Sequence, residues 1–115
     1  MVNHFEIDRV RFELRTLKVD DACSGMDLMN ADDSMAKMSK LLKLFAPYCK
    51  VSRNGDGTFE GGALMVPLKD FADDLFGGRL DLLIRFNAEA INLEYGSFLG
   101  KAGVALPSVA ALTKP

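Results

Sequence analysis

The fold is first indicated by residues 10–15, which read Val10-Arg11-Phe12-Glu13-Leu14-Arg15. Apolar and charged side chains alternate along this stretch. That pattern is typical of a β-strand with one face against a core, because successive side chains of a strand point to opposite faces. The inward-facing residues are expected to be Val10, Phe12 and Leu14. The alternation also holds over residues 5–7 and slips in phase at Asp8-Arg9, which predicts a bulge or a tight turn between two short strands.

Two helices are predicted between this strand and the middle of the chain. The first begins at Asp20 or Asp21, whose carboxylate can accept hydrogen bonds from free helix amides, and it runs to about Met29. The second covers about residues 34–48, with a cap offered by residues 32–34 and an end or kink at Pro47.

The second predicted helix has two distinct faces. Its apolar stripe consists of Met35, Met38, Leu41, Leu42 and Phe45. Its opposite face carries Lys37, Lys40 and Lys43. We interpret the lysine face as solvated, and contact with an acidic partner or with nucleic acid is the alternative.

A central β-hairpin is predicted from residues 49–53 and 58–60, joined by a turn that reads Asn54-Gly55-Asp56-Gly57. A third helix is expected to open at Pro67 and to end at Gly77-Gly78. The last helix, over about residues 79–95, is apolar around most of its circumference. Its single polar stripe consists of Asp81, Arg85, Glu89 and Asn92. Such a helix is either the central core helix or one that serves both the core and a partner.

These elements predict an α+β fold, with short N-terminal strands and a central β-hairpin packed with three to four α-helices. The 115 residues are 49% apolar and 26% charged, which suits one globular domain. We expect that domain to span residues 1–99. Residues 100–115 are rich in small side chains and are expected to form a flexible tail.

Charge and hydropathy patterning exclude several functional classes. The 14 Lys and Arg residues are balanced by 16 Asp and Glu residues, which disfavours a dedicated nucleic-acid binder. No stretch approaches the roughly eighteen apolar residues of a membrane span. The chain starts without the basic region and apolar run of a signal peptide. A cytoplasmic protein is therefore expected.

Side chains with catalytic or metal-binding chemistry are few and scattered. His4, Cys23 and Cys49 are isolated in the sequence, whereas a structural zinc site needs four ligands, and the two thiols are expected to be reduced. The turn at residues 54–57 resembles the middle of a calcium-binding EF-hand loop. The first and twelfth positions of such a loop would be Ser52 and Ala63, which supply no carboxylate. No cofactor, metal site or enzymatic activity is expected.

Methionines are the more informative residues. Four of the six cluster as Met26, Met29, Met35 and Met38. Thioether side chains are flexible and polarisable, so this cluster either fills the core or forms an adaptable groove for an apolar partner.

Residues 88–99 read Ala88-Glu89-Ala90-Ile91-Asn92-Leu93-Glu94-Tyr95-Gly96-Ser97-Phe98-Leu99. This segment resembles the end of small phage tail assembly chaperones, in which an apolar helix finishes with small residues, Asn, an aromatic residue and Phe. Residues 12–17, followed by Asp20-Asp21, are similar to the N-terminal strand of that family, which leads into helices.

The resemblance implies a non-enzymatic phage or prophage protein of the host bacterial cytoplasm. Such a protein binds the long, helical tape-measure protein and recruits tail-tube subunits, and members of the family are often also made as a longer product by translational frameshifting. Self-association stays open. The residues expected to contact a partner are Met26, Met29, Met35, Met38, Leu44, Leu82, Phe86 and Leu93.

Two alternatives to a chaperone remain from the sequence. One is another small structural virion protein, such as a tail terminator or connector. The other is a small enzyme or ligand-binding domain whose site is assembled only in space.

Overall fold

A computed structural model describes residues 2–30 and 34–102, with side chains through residue 96. This part of the chain contains a four-stranded antiparallel sheet and four α-helices, which confirms the predicted α+β class. The strands lie in the order in which they occur along the chain: β1 (Val2–Ile7), β2 (Val10–Arg15), β3 (Cys49–Arg53) and β4 (Leu64–Pro67). The helices are α1 (Val19–Met29), α2 (Met35–Phe45), α3 (Leu68–Phe76) and α4 (Leu80–Ala102).

The N-terminal hairpin forms where the alternating pattern placed it. Strands β1 and β2 pair from Val2↔Arg15 to Ile7↔Val10. Asp8 and Arg9 make the turn with positive φ angles of 50° and 69°, the left-handed conformation that a two-residue hairpin loop requires. The three residues predicted to face inward, Val10, Phe12 and Leu14, are at most 1% exposed.

The helices pack on one face of the sheet, and phenylalanine rings join the two layers. The ring of Phe12 lies 5.0 Å from that of Phe5 and 5.1 Å from that of Phe86, which belongs to α4. Phe76 at the end of α3 lies 5.5 Å from Phe86. Phe86 therefore connects both strands of the hairpin to two helices, in the distance range at which aromatic pairs are stabilising.

The sequence places the start of the central hairpin correctly but assigns the wrong second strand. Strand β3 pairs with β4, through Val51↔Val66, and not with residues 58–60. Phe59 is buried instead, and its carbonyl accepts a hydrogen bond of 2.9 Å from Ser52 Oγ, so this segment folds back onto β3 as a loop. Gly62 lies so close to the backbone of Arg53 that a side chain there would overlap it.

The predicted cap of α1 is wrong, because Lys18 and neither Asp20 nor Asp21 occupies its N-cap. Asp21 instead accepts a 2.5 Å hydrogen bond from the hydroxyl of Tyr48, a residue of the short 3-10 helix that follows α2. Ser34 occupies the N-cap of α2, as the sequence allowed, but its side chain makes no capping hydrogen bond. Residues 32 and 33 lie outside the described residues.

The prediction that Lys37 belongs to a solvated face of α2 is wrong. Lys37 is only 3% exposed, and its Nζ donates a 3.1 Å hydrogen bond to the carbonyl of Met29 at the end of α1. Lys40 and Lys43 are exposed as predicted. The lysine face of α2 is therefore exposed to solvent at Lys40 and Lys43, but not at Lys37, where the end of α1 lies within hydrogen-bonding distance.

Helix α4 is the central helix of the described fold. It contacts α2, α3 and β1, and its most buried residues are Leu82, Phe86, Asn87, Ala90 and Ile91. The predicted polar stripe faces outward, and Arg85 uses it to pair with Asp8 at 2.8 Å. The helix continues to Ala102, beyond both the predicted end of the helix and the predicted start of the tail. The rest of the predicted tail lies outside the described residues.

Candidate partner-binding surface

The residues predicted to contact a partner do not share one surface. Met29 and Met38 are 3% exposed, and Leu82 and Phe86 are fully buried, so these four residues belong to the core. Their spacing gives no sign of this, because a helical stripe that faces a core and one that faces a partner have the same period.

The other four predicted contact residues lie on the helical layer. Met35 is 57% exposed, whereas Met26, Leu44 and Leu93 are half-buried. Leu44 packs at Gly25 of α1, where a β-carbon would lie 2.8 Å from its Cδ2. Here α1 and α2 meet α4, whose Tyr95 hydroxyl donates a 2.8 Å hydrogen bond to the carbonyl of Ala22. Leu44 therefore contributes mainly to a helix junction.

The outer face of the sheet, opposite the helices, is the larger accessible surface. It is formed by the side chains that alternate with the buried ones, namely Val2, His4, Glu6, Arg11, Glu13, Arg15, Lys50, Met65 and Pro67. The strand register aligns some of them in a row, His4, Glu13, Lys50 and Pro67, that crosses all four strands. The charged residues that alternate with Val10, Phe12 and Leu14 in the sequence are the signal from which this surface could be found.

Two open grooves cover much of the outer face. The first has a volume of about 390 Å³ and lies over β1 and β2, reaching Met65 of β4. The second has a volume of about 470 Å³, and its walls include Val2, Pro47 and Pro67. Glu13 lines both grooves, so the two grooves adjoin each other on this face.

This surface is basic on a chain that is acidic overall. Its grooves hold four Lys and Arg side chains, Arg11, Arg15, Lys50 and Lys69, against the two carboxylates of Glu6 and Glu13. With histidine taken as neutral, the difference is a charge of +2, whereas the whole chain carries −2. The excess of positive charge lies in the second groove, because the first holds Arg11 against both carboxylates. Positive side chains above an apolar floor suit a partner with both acidic and apolar residues.

Two charged groups on this face are held in place. Arg15 donates a 3.1 Å hydrogen bond to the carbonyl of Pro47, and its guanidinium lies 5.5 Å from the ring centroid of Tyr48. The imidazole Nε2 of His4 lies 3.5 Å from Glu13 Oε1. These contacts restrict the side chains of Arg15 and Glu13 before a partner binds, which lowers the side-chain entropy that binding must overcome.

Cys49 lines the second groove but is a poor nucleophile. It is 3% exposed, and its burial raises the pKa of the thiol far above its ordinary value, with a smaller contribution from the charge of Glu13. The thiolate is the reactive form of cysteine, so this thiol is inert at neutral pH. Cys23 is exposed and lies on α1.

The turn that resembles a calcium loop uses its carboxylate internally. Asp56 Oδ1 accepts hydrogen bonds from the amide of Thr58 at 3.0 Å and from its hydroxyl at 2.7 Å. These bonds favour the charged carboxylate and lower the pKa of Asp56. Across residues 2–30 and 34–102, no group of three His, Cys, Asp or Glu side chains is placed to hold a metal ion.

In the same residues, no helix has the length and apolar character needed to cross a membrane. Comparisons with protein-family models, with curated proteins and with solved structures gave no match to the chain.

Proposed function

We propose that this chain is a non-enzymatic tail assembly chaperone of a phage or prophage. In this proposal it binds the tape-measure protein and recruits tail-tube subunits in the cytoplasm of the bacterial host. The observation that carries the proposal is the basic groove on the outer face of the sheet, in which Arg15, Lys50 and Lys69 outnumber the single carboxylate of Glu13. The resemblance of residues 88–99 supplies the identity of the partner.

The shape of the groove favours an elongated partner. The two grooves meet at Glu13, and together they reach from Met65 to Pro47. A helix about 10 Å across fits such a surface if its apolar side meets Val2 and Pro67 and its acidic side chains meet the lysines. A tape-measure protein is a long helical chain. Its helix faces that become buried in the assembled tail need a binding partner before assembly.

The helical layer is left for the second partner. It lies on the opposite side of the sheet, where Met35 is exposed and Met26 and Leu93 are partly exposed. Methionine side chains adapt to varied apolar surfaces. The tail-tube subunit is assigned to this side, so one chaperone can contact both proteins at once.

Co-expression with the tape-measure protein tests this assignment. The wild-type chain is expected to give a soluble complex, measured by co-purification and light scattering. In the double variant K50E/K69E, the groove changes from +2 to −2, and the complex is expected to be lost because like charges face each other. The matched control is K40E/K43E, which makes the same charge change on the exposed face of α2 and is expected to retain the complex.

Three results contradict the proposal. They are a tape-measure protein that is equally soluble with and without this chain, the absence of any complex, and equal loss of binding in both double variants. The last result would indicate a response to net charge and not to the groove.

A further inference from the structure

Strand β1 presents an unpaired edge that is built differently from the other edge of the sheet. Among residues 2–30 and 34–102, β1 pairs with β2 on one side and with no strand on the other. The opposite edge, β4, has four residues and ends at Pro67, which lacks an amide proton. Short length and proline are devices that prevent edge pairing, and β1 has six residues and no proline.

The turn geometry identifies the backbone groups that point away from β2. In a two-residue hairpin the residues that flank the turn, here Ile7 and Val10, exchange hydrogen bonds, and such pairs alternate along the strands. Glu6 and Arg11 then form a pair without these bonds. The amide of Arg11 accordingly donates to Ser52 Oγ at 3.0 Å, on the side away from β1. The amides and carbonyls of Val2, His4 and Glu6 therefore face the free edge.

We propose that β1 pairs antiparallel with β1 of a second copy, about a two-fold axis at Phe5. In this register His4 of each copy lies opposite Glu6 of the other copy. Each of these two residue pairs is joined by two backbone hydrogen bonds. A two-fold axis at His4 would place histidine opposite histidine, and one at Glu6 would place carboxylate opposite carboxylate. An imidazole and a carboxylate that lie opposite each other can hydrogen-bond across the strands, whereas two carboxylates repel and two imidazoles gain less, so the axis at Phe5 is preferred.

The buried side of β1 supports the same register. Phe5 is half-buried, and its ring stacks 5.0 Å from Phe12 and lies 6.0 Å from Phe86 of α4. At the two-fold axis its Cα lies roughly 4.5 Å from that of the second Phe5, the spacing of an antiparallel pair without hydrogen bonds. Pairing covers the exposed part of both rings and brings the two α4 helices together beneath the joined strands.

The first test measures the mass of the full chain and of H4P by sedimentation equilibrium. Wild type is expected to dimerise with rising concentration. The variant H4P removes an amide that faces the free edge and keeps every bond to β2, so it is expected to remain a folded monomer. The control H4T keeps the amide and is expected to dimerise. A monomeric wild type, an assembly larger than a dimer, or a dimer unaffected by H4P would overturn the inference.

A second test reads the register and does not depend on how H4P folds. In a Cys23→Ser background, the variants H4C and E6C are mixed under mild oxidation. A covalent dimer is expected in the mixture and not from either variant alone, because opposed Cα atoms in a hydrogen-bonded pair are about 5.5 Å apart, within disulfide range. Equal cross-linking of H4C alone would overturn the axis at Phe5.

These outcomes are separable from the proposed function. A strictly monomeric chain that still forms the tape-measure complex overturns the pairing and leaves the chaperone assignment standing. A dimer that forms no such complex supports the pairing through β1 and overturns the chaperone assignment.

Discussion

Lys37 shows how far a single residue can be interpreted from its sequence position. Helical spacing placed it with Lys40 and Lys43 on the polar side of α2. It is buried because the end of α1 lies beside it, where Met29 presents a carbonyl that a cation can reach. The apolar residues of β2 were predicted correctly because their period is local. The hydrogen-bond partner of Lys37 depends on where helix α1 ends in space. A local sequence pattern gives no information about that position.

The variant K37M is expected to lower the free energy of unfolding by about 1–3 kcal/mol. The methionine keeps the apolar stem, but the carbonyl of Met29 loses a charged donor in a buried place. The control K40M changes the same residue type at an exposed position of the same helix and is expected to stay within about 0.5 kcal/mol of wild type. Urea unfolding followed by circular dichroism measures both. Equal stability of K37M and wild type would show that this hydrogen bond contributes nothing.

At the scale of elements, the contact between α1 and α4 depends on Gly25. Glycine is unfavourable in the interior of a helix, yet α1 forms around Gly25. A side chain at this position would overlap the hydroxyl of Tyr95 and lie 2.8 Å from Leu44 Cδ2. The glycine is therefore the residue that lets three helices meet.

The variant G25A is expected to lower the free energy of unfolding by about 1–3 kcal/mol. Alanine improves helix propensity by about 1 kcal/mol, but the clash with a buried tyrosine outweighs that gain. In G25A/Y95F the nearest atom that the methyl group meets, the Tyr95 hydroxyl oxygen, is gone, and only the looser contacts with the flexible side chain of Leu44 and with the aromatic ring remain. The double variant is therefore expected to lose less stability than the sum of the single variants. The control G55A places its methyl group in open space and is expected to be near neutral. Thermal unfolding of wild type and of the four variants G25A, Y95F, G25A/Y95F and G55A measures these effects. Additive losses of stability in the double variant would contradict the clash.

The central hairpin shows which elements the sequence could not define. A Gly-rich turn after β3 indicated an immediate return strand, and the turn itself is present, closed by a 2.7 Å hydrogen bond from the amide of Asn54 to the carbonyl of Thr58. The strand that pairs with β3 comes later, because Phe59 is anchored in the core and Gly62 crosses close to Arg53. The burial of Phe59 and the close approach of Gly62 to Arg53 both depend on the tertiary fold and not on the local sequence pattern. Element types were therefore predictable from the sequence, whereas their pairing was not.

At the scale of the whole molecule, charge is divided between surfaces. The outer face of the sheet carries +2 within a chain of −2, so the rest of the molecule is more acidic than the total indicates. The alternating pattern predicted one polar face for the sheet. Its sign arises only when the register brings β1, β2 and β3 together with Lys69 of α3.

Association with the tape-measure protein is expected to slow as salt is added. Attraction between the basic face and an acidic helix acts at long range, and at physiological ionic strength it is screened beyond roughly 8 Å. Stopped-flow measurements over a series of NaCl concentrations are expected to show this slope for wild type and for K40E/K43E. An association rate that does not depend on salt would indicate that the groove binds through its apolar floor alone.

The proline at the end of β4 also affects how this protein behaves when it is concentrated. If two copies join through β1, both outer strands of the combined sheet are β4, four residues long and closed by Pro67. Neither can template a further strand, so growth stops after one step and no amyloid-like stacking follows. Pro67, which also occupies the N-cap of α3, thus limits how far a sheet built from this chain can extend.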